Sequence, residues 1–587
     1  MMKFRYTIIT LAASFMTMGV AAAQDLDPTV VVNKAYEGKL IQVHKPNYEM
    51  VVPDSVTKFN LDFDYLVFDQ PYKGSEGFTP YVMTMRPASL VQDSKYLYLD
   101  AGAGYSLHPT LDVIWSPLRG KNFKLDVYAD HRSYVGNYRS FLPTSSSDGV
   151  LKVERWKESD GSQSHWWGYD LKSRAGVDGR YEGASMSAGF DVSYYGLHSE
   201  DLIKTRSYDA VDVKLGLASK PKSGAYFKYA VNAAYRFAED KLKYKYYAPG
   251  YLGEHLVNVD ASLGQVMNNG HQMLLDIESD VAVYSPEAAA QLTFVPHYLF
   301  TKGAFTLDAG LRISAIIRSE EIEGFFNTRG QVVYPDIKAS YSVIPDALRL
   351  YARIGGGSKL NTYASLLERN HHVDTRFALD ETGLMNITVE RVSASVGVEG
   401  RIGSIFSYNL HTGYANYASD VLDGVIISTR PTSGERQYLP AVGYASYQKY
   451  FAAADWRLLT DNIRFDGEME YTYAWGLKDA AGLFLPAALT GDVSFEYNWS
   501  RRIFAGVDCN FSTGRHGTVW VKIPGGPASE EAVIPGYADL GVNFEYVINR
   551  SISVWARGGN LLNMSIQRNP LYAEKGLSLT VGFCLNL

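Results

Sequence analysis

The sequence predicts an all-β chain: a transmembrane antiparallel β-barrel of about 22 strands over residues 95–587. Three observations carry this. From about residue 95 to its end the chain alternates apolar with polar or small residues, segment after segment. The connections between those segments alternate short with long. The body of the chain holds no run of about 18 uncharged apolar residues, so a bundle of spanning helices is excluded. The composition fits: 587 residues, 46% hydrophobic, 13% aromatic with 43 Tyr, and a mean hydropathy of −0.15. A spanning strand needs only every second residue to be apolar, so a hydropathy near that of a soluble protein is compatible with a barrel. The formal net charge of −7 lacks the basic footprint of a nucleic-acid binder.

Residues 1–23 read as a secretory signal peptide. Lys3 and Arg5 give the positive start, Ile8 to Val20 the short apolar run, and Ala21-Ala22-Ala23 the small-residue cleavage pattern, leaving Gln24 first. The run is too short for a membrane anchor. No Cys follows the cleavage site, so a lipid anchor is not expected. Residues 24–94 form a separate N-terminal segment, periplasmic or lumenal. Pro46, Pro53, Pro71, Pro80 and Pro87 break continuous sheet pairing there. The segment either docks under the barrel, threads into it as a partial constriction, or trails as an extended periplasmic tail.

The strands follow. In Phe305-Thr306-Leu307-Asp308-Ala309-Gly310-Leu311-Arg312-Ile313 every odd position is apolar and most even ones are polar. Ile463 to Tyr471, Phe123 to Asp130 and Met186 to Val192 repeat the pattern. Successive side chains on a strand point to opposite faces, so each segment has one apolar and one wet face. A soluble sandwich or propeller alternates too, but no repeat of blade length occurs. The placement of charge favours a barrel. Asp308 and Arg312 share the polar face of their segment, as do Arg464, Asp466, Glu468 and Glu470. In a closed barrel that face lines a watery lumen, whereas an Arg or Lys facing lipid at mid-membrane costs roughly 2–4 kcal/mol.

Counted from the first strand, the even connections are short: 117–120, 220–223, 268–270, Pro345, 460–462 and 549–550. The odd ones are mostly long, such as 132–164, 356–385, 417–440, 513–533 and 560–574. Outer-membrane barrels pair short periplasmic turns with longer outside loops. Tyr96, Trp115, Tyr194, Tyr235, Tyr471, Tyr497 and Trp499 lie mainly near segment ends. They read as an interfacial girdle, or as the ordinary aromatic enrichment of strands. Cys509 and Cys584 fall on opposite faces of their strands, so no disulfide is expected between them.

The C-terminal stretch Gly558-Gly559-Asn560-Leu561-Leu562-Asn563, then Pro570-Leu571-Tyr572, then the last strand Leu577 to Leu587, resembles the end of TonB-dependent receptors. Those barrels commonly carry an Asn-Leu-Leu/Phe-Asn stretch before a closing strand with a terminal aromatic. Leu587 departs from the terminal aromatic, although Phe583 and Leu585 keep the alternation. The strand total also matches plugged outer-membrane transporters. Within that group the chain most resembles the receptor-like barrels of Bacteroidetes envelopes. The resemblance implies an outer-membrane location and a part in solute uptake or transport. It fails at the N-terminus, where residues 24–94 are about half the length of a plug domain and lack its glycine-rich signatures. The alternatives are an envelope structural or assembly component with a blocked lumen, and a passive porin.

No catalytic constellation, cofactor motif or metal site stands out, so no enzyme activity is expected. Ser and His are too scattered to nominate a triad. His371-His372, beside Glu368 and Asp374, read as an exposed loop cluster with little claim to a metal. Gly355-Gly356-Gly357-Ser358-Lys359 lacks the spacing of a phosphate loop and reads as a strand end yielding to a loop. The residues left for function are lumen-facing candidates: Asp308, Arg312, Arg464, Asp466, Glu468 and Glu470. In a plugged barrel they would grip a plug, and in an open one they would set selectivity. Lipid of the outer membrane, a periplasmic or surface protein and an unidentified solute are the expected partners; nucleic acid is not.

Overall fold

The computed structural model describes residues 96–587 apart from 106–107, 146, 148, 222–223, 268–269, 285–287, 319–331, 374–385, 430–435, 479–481 and 524–525. The expected signal peptide and N-terminal segment lie outside the described residues.

Among the described residues, twenty-six strands form one sheet. Four of them, Phe141–Ser145, Leu151–Arg155, Arg515–Ile523 and Gly526–Ile534, make two hairpins set off the ring. The other 22 pair antiparallel in chain order. The ring closes where the first strand, Leu97–Gly104, pairs with the last, Ser578–Asn586. Closure matters because hydrocarbon offers nothing to an unpaired backbone group. Each predicted segment overlaps one ring strand.

The connections confirm two distinct ends. Those after even ring strands hold two to six residues, while those after odd ones run from three to 26. The expected outer loops 132–164 and 417–440 are shorter than the sequence suggested. Their strands continue, one as Phe123–Arg139 and two others as the 24-residue Phe406–Thr429 and Arg436–Leu459.

The ring is apolar outside. Leu215, Leu311, Val396 and Val581 are exposed, while Asp212 and Arg312 on the opposite faces are buried. The seven expected girdle rings are all exposed and fall in two rows. Tyr96, Trp115, Tyr497 and Trp499 sit beside the periplasmic side, next to short turns or the closing strand. Tyr194, Tyr235 and Tyr471 lie eight or nine residues up their strands from Met186, Tyr226 and Ile463. At about 3.3 Å per residue and a tilt of about 40°, the rows stand roughly 20–25 Å apart, the height of an outer-membrane barrel's apolar band. An apolar exterior between two aromatic rows on a closed ring of this size makes this a barrel of the outer membrane. Cys509 and Cys584 are free thiols.

Candidate functional site

Above the upper aromatic row the strands run on, and the outer loops fold across the mouth they surround. The hairpin Leu151–Arg155 pairs in parallel with Gly526–Ile534 through Leu151↔Ala532. Its partner strand, Arg515–Ile523, pairs in parallel with Phe406–Thr429 through Ile426↔Trp520 and Ile427↔Val521. A transverse sheet thus leaves the wall beside the third ring strand and meets the fifteenth, about half-way around. The turn of the first hairpin takes Gly149 at φ 79°, a conformation that costs glycine little.

Apolar side chains fill the space the sheet crosses. Tyr138 and Trp166 stack on the third and fourth ring strands at 4.4 Å. They pack with Leu151, Val153, Val519, Ala532, Phe484 and Leu571, and with Val425 and Ile427 of the far wall. A second cluster joins Leu197, Tyr208, Ala238, Leu256 and Ala282, on five successive ring strands, to Val421 and Val442 across the mouth. Between them sits a helix, Tyr363–Arg369, whose Tyr363, Ala364, Leu366 and Leu367 are buried. Thr362 caps it by accepting from the Ser365 N–H at 3.3 Å, the role its hydroxyl is suited to. Each aliphatic side chain buried this way contributes roughly 1.5–3 kcal/mol relative to exposure.

Charge fixes the register of these loops. Arg206 is fully buried; its Nε donates to Asp240 Oδ2 at 3.2 Å, and its Nη2 to the Tyr363 hydroxyl at 3.1 Å and the Val373 carbonyl at 2.5 Å. Its Nη1 donates to the His371 carbonyl, and the Tyr363 hydroxyl donates to Asp240. Glu254 accepts from the Tyr284 hydroxyl at 2.7 Å and from the Ala364 N–H at 3.1 Å. A charge this deep is tolerable only when paired and hydrogen-bonded. Asp423 takes Arg369 at 3.4 Å and Arg515 at 3.1 Å.

The segment carrying Asn560-Leu561-Leu562-Asn563 is the hub of the mouth. Arg139 donates to the Asn563 carbonyl and to Ser565 Oγ, both at 3.0 Å. Arg568 reaches Asp539 at 2.9 Å, and Gln567 donates to the Val153 carbonyl at 3.1 Å. Tyr572 donates to Asp201 at 3.0 Å and stacks on His372 at 3.7 Å. Lys575 donates to His108 at 2.5 Å. Burial, with the Lys575 charge beside it, pushes the His108 imidazole down to about 4, so it stays the neutral acceptor this pair requires.

The fold is that of the TonB-dependent receptor barrels. Of solved structures, the FrpB iron transporter of Neisseria meningitidis matches with a TM-score of 0.60 at 10% identity, over 84% of this chain and 82% of that one. The siderophore receptor PirA of Acinetobacter baumannii matches at 0.57 and 11%, over 84% and 80%. The copper transporter OprC matches at 0.58 and 10%, over the same shares. At such identities the likeness speaks for the fold. No protein-family profile and no curated protein sequence matches the chain.

The six lumen-facing candidates do not converge in this barrel. Arg312 holds Glu278 through Nη1 at 2.7 Å, and Asp308 meets His297 Nδ1 at 2.7 Å. Six ring strands away, Asp466 accepts from Arg457 Nε at 2.9 Å and also pairs with Arg464. Glu470 accepts from Thr472 Oγ1 at 2.9 Å. Glu468 stands in register between Asp455 and Asp492, giving an acidic row across three strands. Among the described residues, no group of three or more His, Cys, Asp or Glu is placed to hold a metal ion.

Two readings of the loops are corrected. His371 and His372 are not an exposed cluster. His371 Nε2 lies 3.1 Å from Asp170 and His372 is wedged against Tyr572. Burial, together with His371, Lys204 and Arg206 nearby, holds His372 well below the usual imidazole range. Gly355 to Lys359 is no loop: the strand Leu348–Leu360 continues through it, paired with Ile387–Ile402, and the capped helix follows. Thr362, followed by Tyr363 and the Leu366-Leu367 pair, was the available signal for that helix.

Proposed function

We propose that the chain is a receptor-type transport barrel of the outer membrane, of the Bacteroidetes kind, which moves a solute or docks the partner that does. It acts without a plug of its own, so a TonB box would come from another chain. It carries no enzymatic chemistry. The observation that carries the reading is the mouth: a ring wide enough for a solute is crossed by an ordered sheet with a buried core. Such a barrel conducts on demand rather than continuously. The neighbours named for siderophore, iron and copper carriage support transport as the class of activity. The charged lumenal face, with Asp308, Arg312, Arg464, Asp466, Glu468 and Glu470, would then grip a partner's plug or steer the solute. The test is planar-bilayer recording on the mature protein. Silence at rest is expected, and steady large currents would instead identify a passive porin.

The same transverse sheet also favours a second reading, an envelope assembly component that stays shut. Pull-down from native envelopes separates the two. A periplasmic energy-coupling or solute-binding partner supports transport, whereas scaffold proteins alone support the assembly role.

A further inference from the structure

We propose that Asp423 is a shared latch, one carboxylate that ties two outer loops so that they open as a unit. The proposal goes beyond the transport reading and does not depend on it.

Asp423 lies near the outer end of Phe406–Thr429, where that strand is buried on both faces from Asp420 to Ile427. Its Oδ1 accepts from Arg369 Nε at 3.4 Å, on the helix Tyr363–Arg369. Its Oδ2 accepts from Arg515 Nη1 at 3.1 Å, on the hairpin strand Arg515–Ile523. All three side chains are largely withdrawn from water, at 11%, 17% and 15% exposure. The backbone adds a third loop. The Asp423 carbonyl accepts from Phe484 at 2.9 Å, and the Val425 N–H donates to Gly482 at 3.0 Å. Arg515 also donates through Nη2 to the Arg568 carbonyl at 2.8 Å, linking the latch to the hub segment.

The arrangement is asymmetric. Removing either arginine leaves Asp423 neutralised by the other, and frees one loop. Removing the carboxylate leaves Arg515 without its ion pair and Arg369 with only Asp420 nearby, in a poorly hydrated space, and both loops lose their one shared tie together. Simple packing predicts otherwise, because Asn has the shape of Asp and would change little.

Hydrogen exchange read by mass spectrometry on the full mature protein in detergent tests this. Asp423→Asn is expected to speed exchange by ~100-fold in both 363–369 and 515–534, with the strand segments between the aromatic rows unchanged. Arg369→Gln should speed the helix and spare the hairpin, and Arg515→Gln should do the reverse. Acceleration of one loop only in Asp423→Asn, of neither, or of all strands alike would overturn the proposal. If Asp423→Asn does not fold, Asp423→Glu serves. It keeps the charge at a longer reach and should loosen both loops by a similar, smaller factor. Loosening of one alone would count against the latch.

Discussion

Trp555 lies across the seam where the barrel closes, buried, with its indole N–H donating to Asp100 at 2.8 Å and the Arg557 guanidinium 3.9 Å above its ring. It fits because the first and last strands present glycine to it. A methyl at Gly102 would stand 2.3 Å from Trp555 Cη2, and one at Gly582 2.3 Å from Cζ2. Gly102→Ala therefore overpacks the seam, at a cost of roughly 1–3 kcal/mol. The expected result is a smaller folded fraction on heat-modifiability gels, partly restored when Trp555→Ala is added. An equally stable single variant would refute the close fit. Such partnerships are where sequence reading stops at this scale. Alternation assigned Arg312 to a face but could not name Glu278, 34 residues away. Arg206 meets Tyr363 across 157 residues of chain, a distance no local pattern spans.

Strands were legible where the bilayer imposes their pattern. From Met186 to Val192 or Ile463 to Tyr471, one face meets lipid and the other does not, so polarity must alternate. The pattern fades above the upper aromatic row. From Asp420 to Ile427 both faces are covered by protein, and the sequence Asp-Val-Leu-Asp-Gly-Val-Ile-Ile no longer alternates. That is why 417–440 reads as a loop yet is mostly strand. The hairpins Phe141–Ser145/Leu151–Arg155 and Arg515–Ile523/Gly526–Ile534 were missed for a related reason, since they are short and pair with each other and with the non-alternating end of Phe406–Thr429. The belt itself supports a direct check. Leu215 sits four residues above Ser219 on the lipid side, and Lys214 beside it on the opposite face. Leu215→Arg is expected to lower the refolding stability in lipid vesicles by ~2–4 kcal/mol, while Lys214→Leu changes it little. Equal effects would contradict the assignment of faces.

The whole barrel is a closed ring whose outer loops cross its own mouth. The described loops pack across the mouth in two buried clusters of apolar side chains. A protein beginning at residue 95 should therefore remain silent in planar bilayers, and a steady current from it would show that the mouth does not seal. Strand total and location were legible because each follows from a repeated constraint. The crossing of the mouth was not, because it arises from five loops whose partners lie far apart in the sequence. That ring has a further consequence. Leu97–Gly104 finds its second neighbour in Ser578–Asn586, at the far end of the ring. Until that pairing forms, two raw edges must be kept from hydrocarbon and from other chains. A chain that lacks Ser578–Asn586 is accordingly expected to leave both edges open rather than to form a smaller pore.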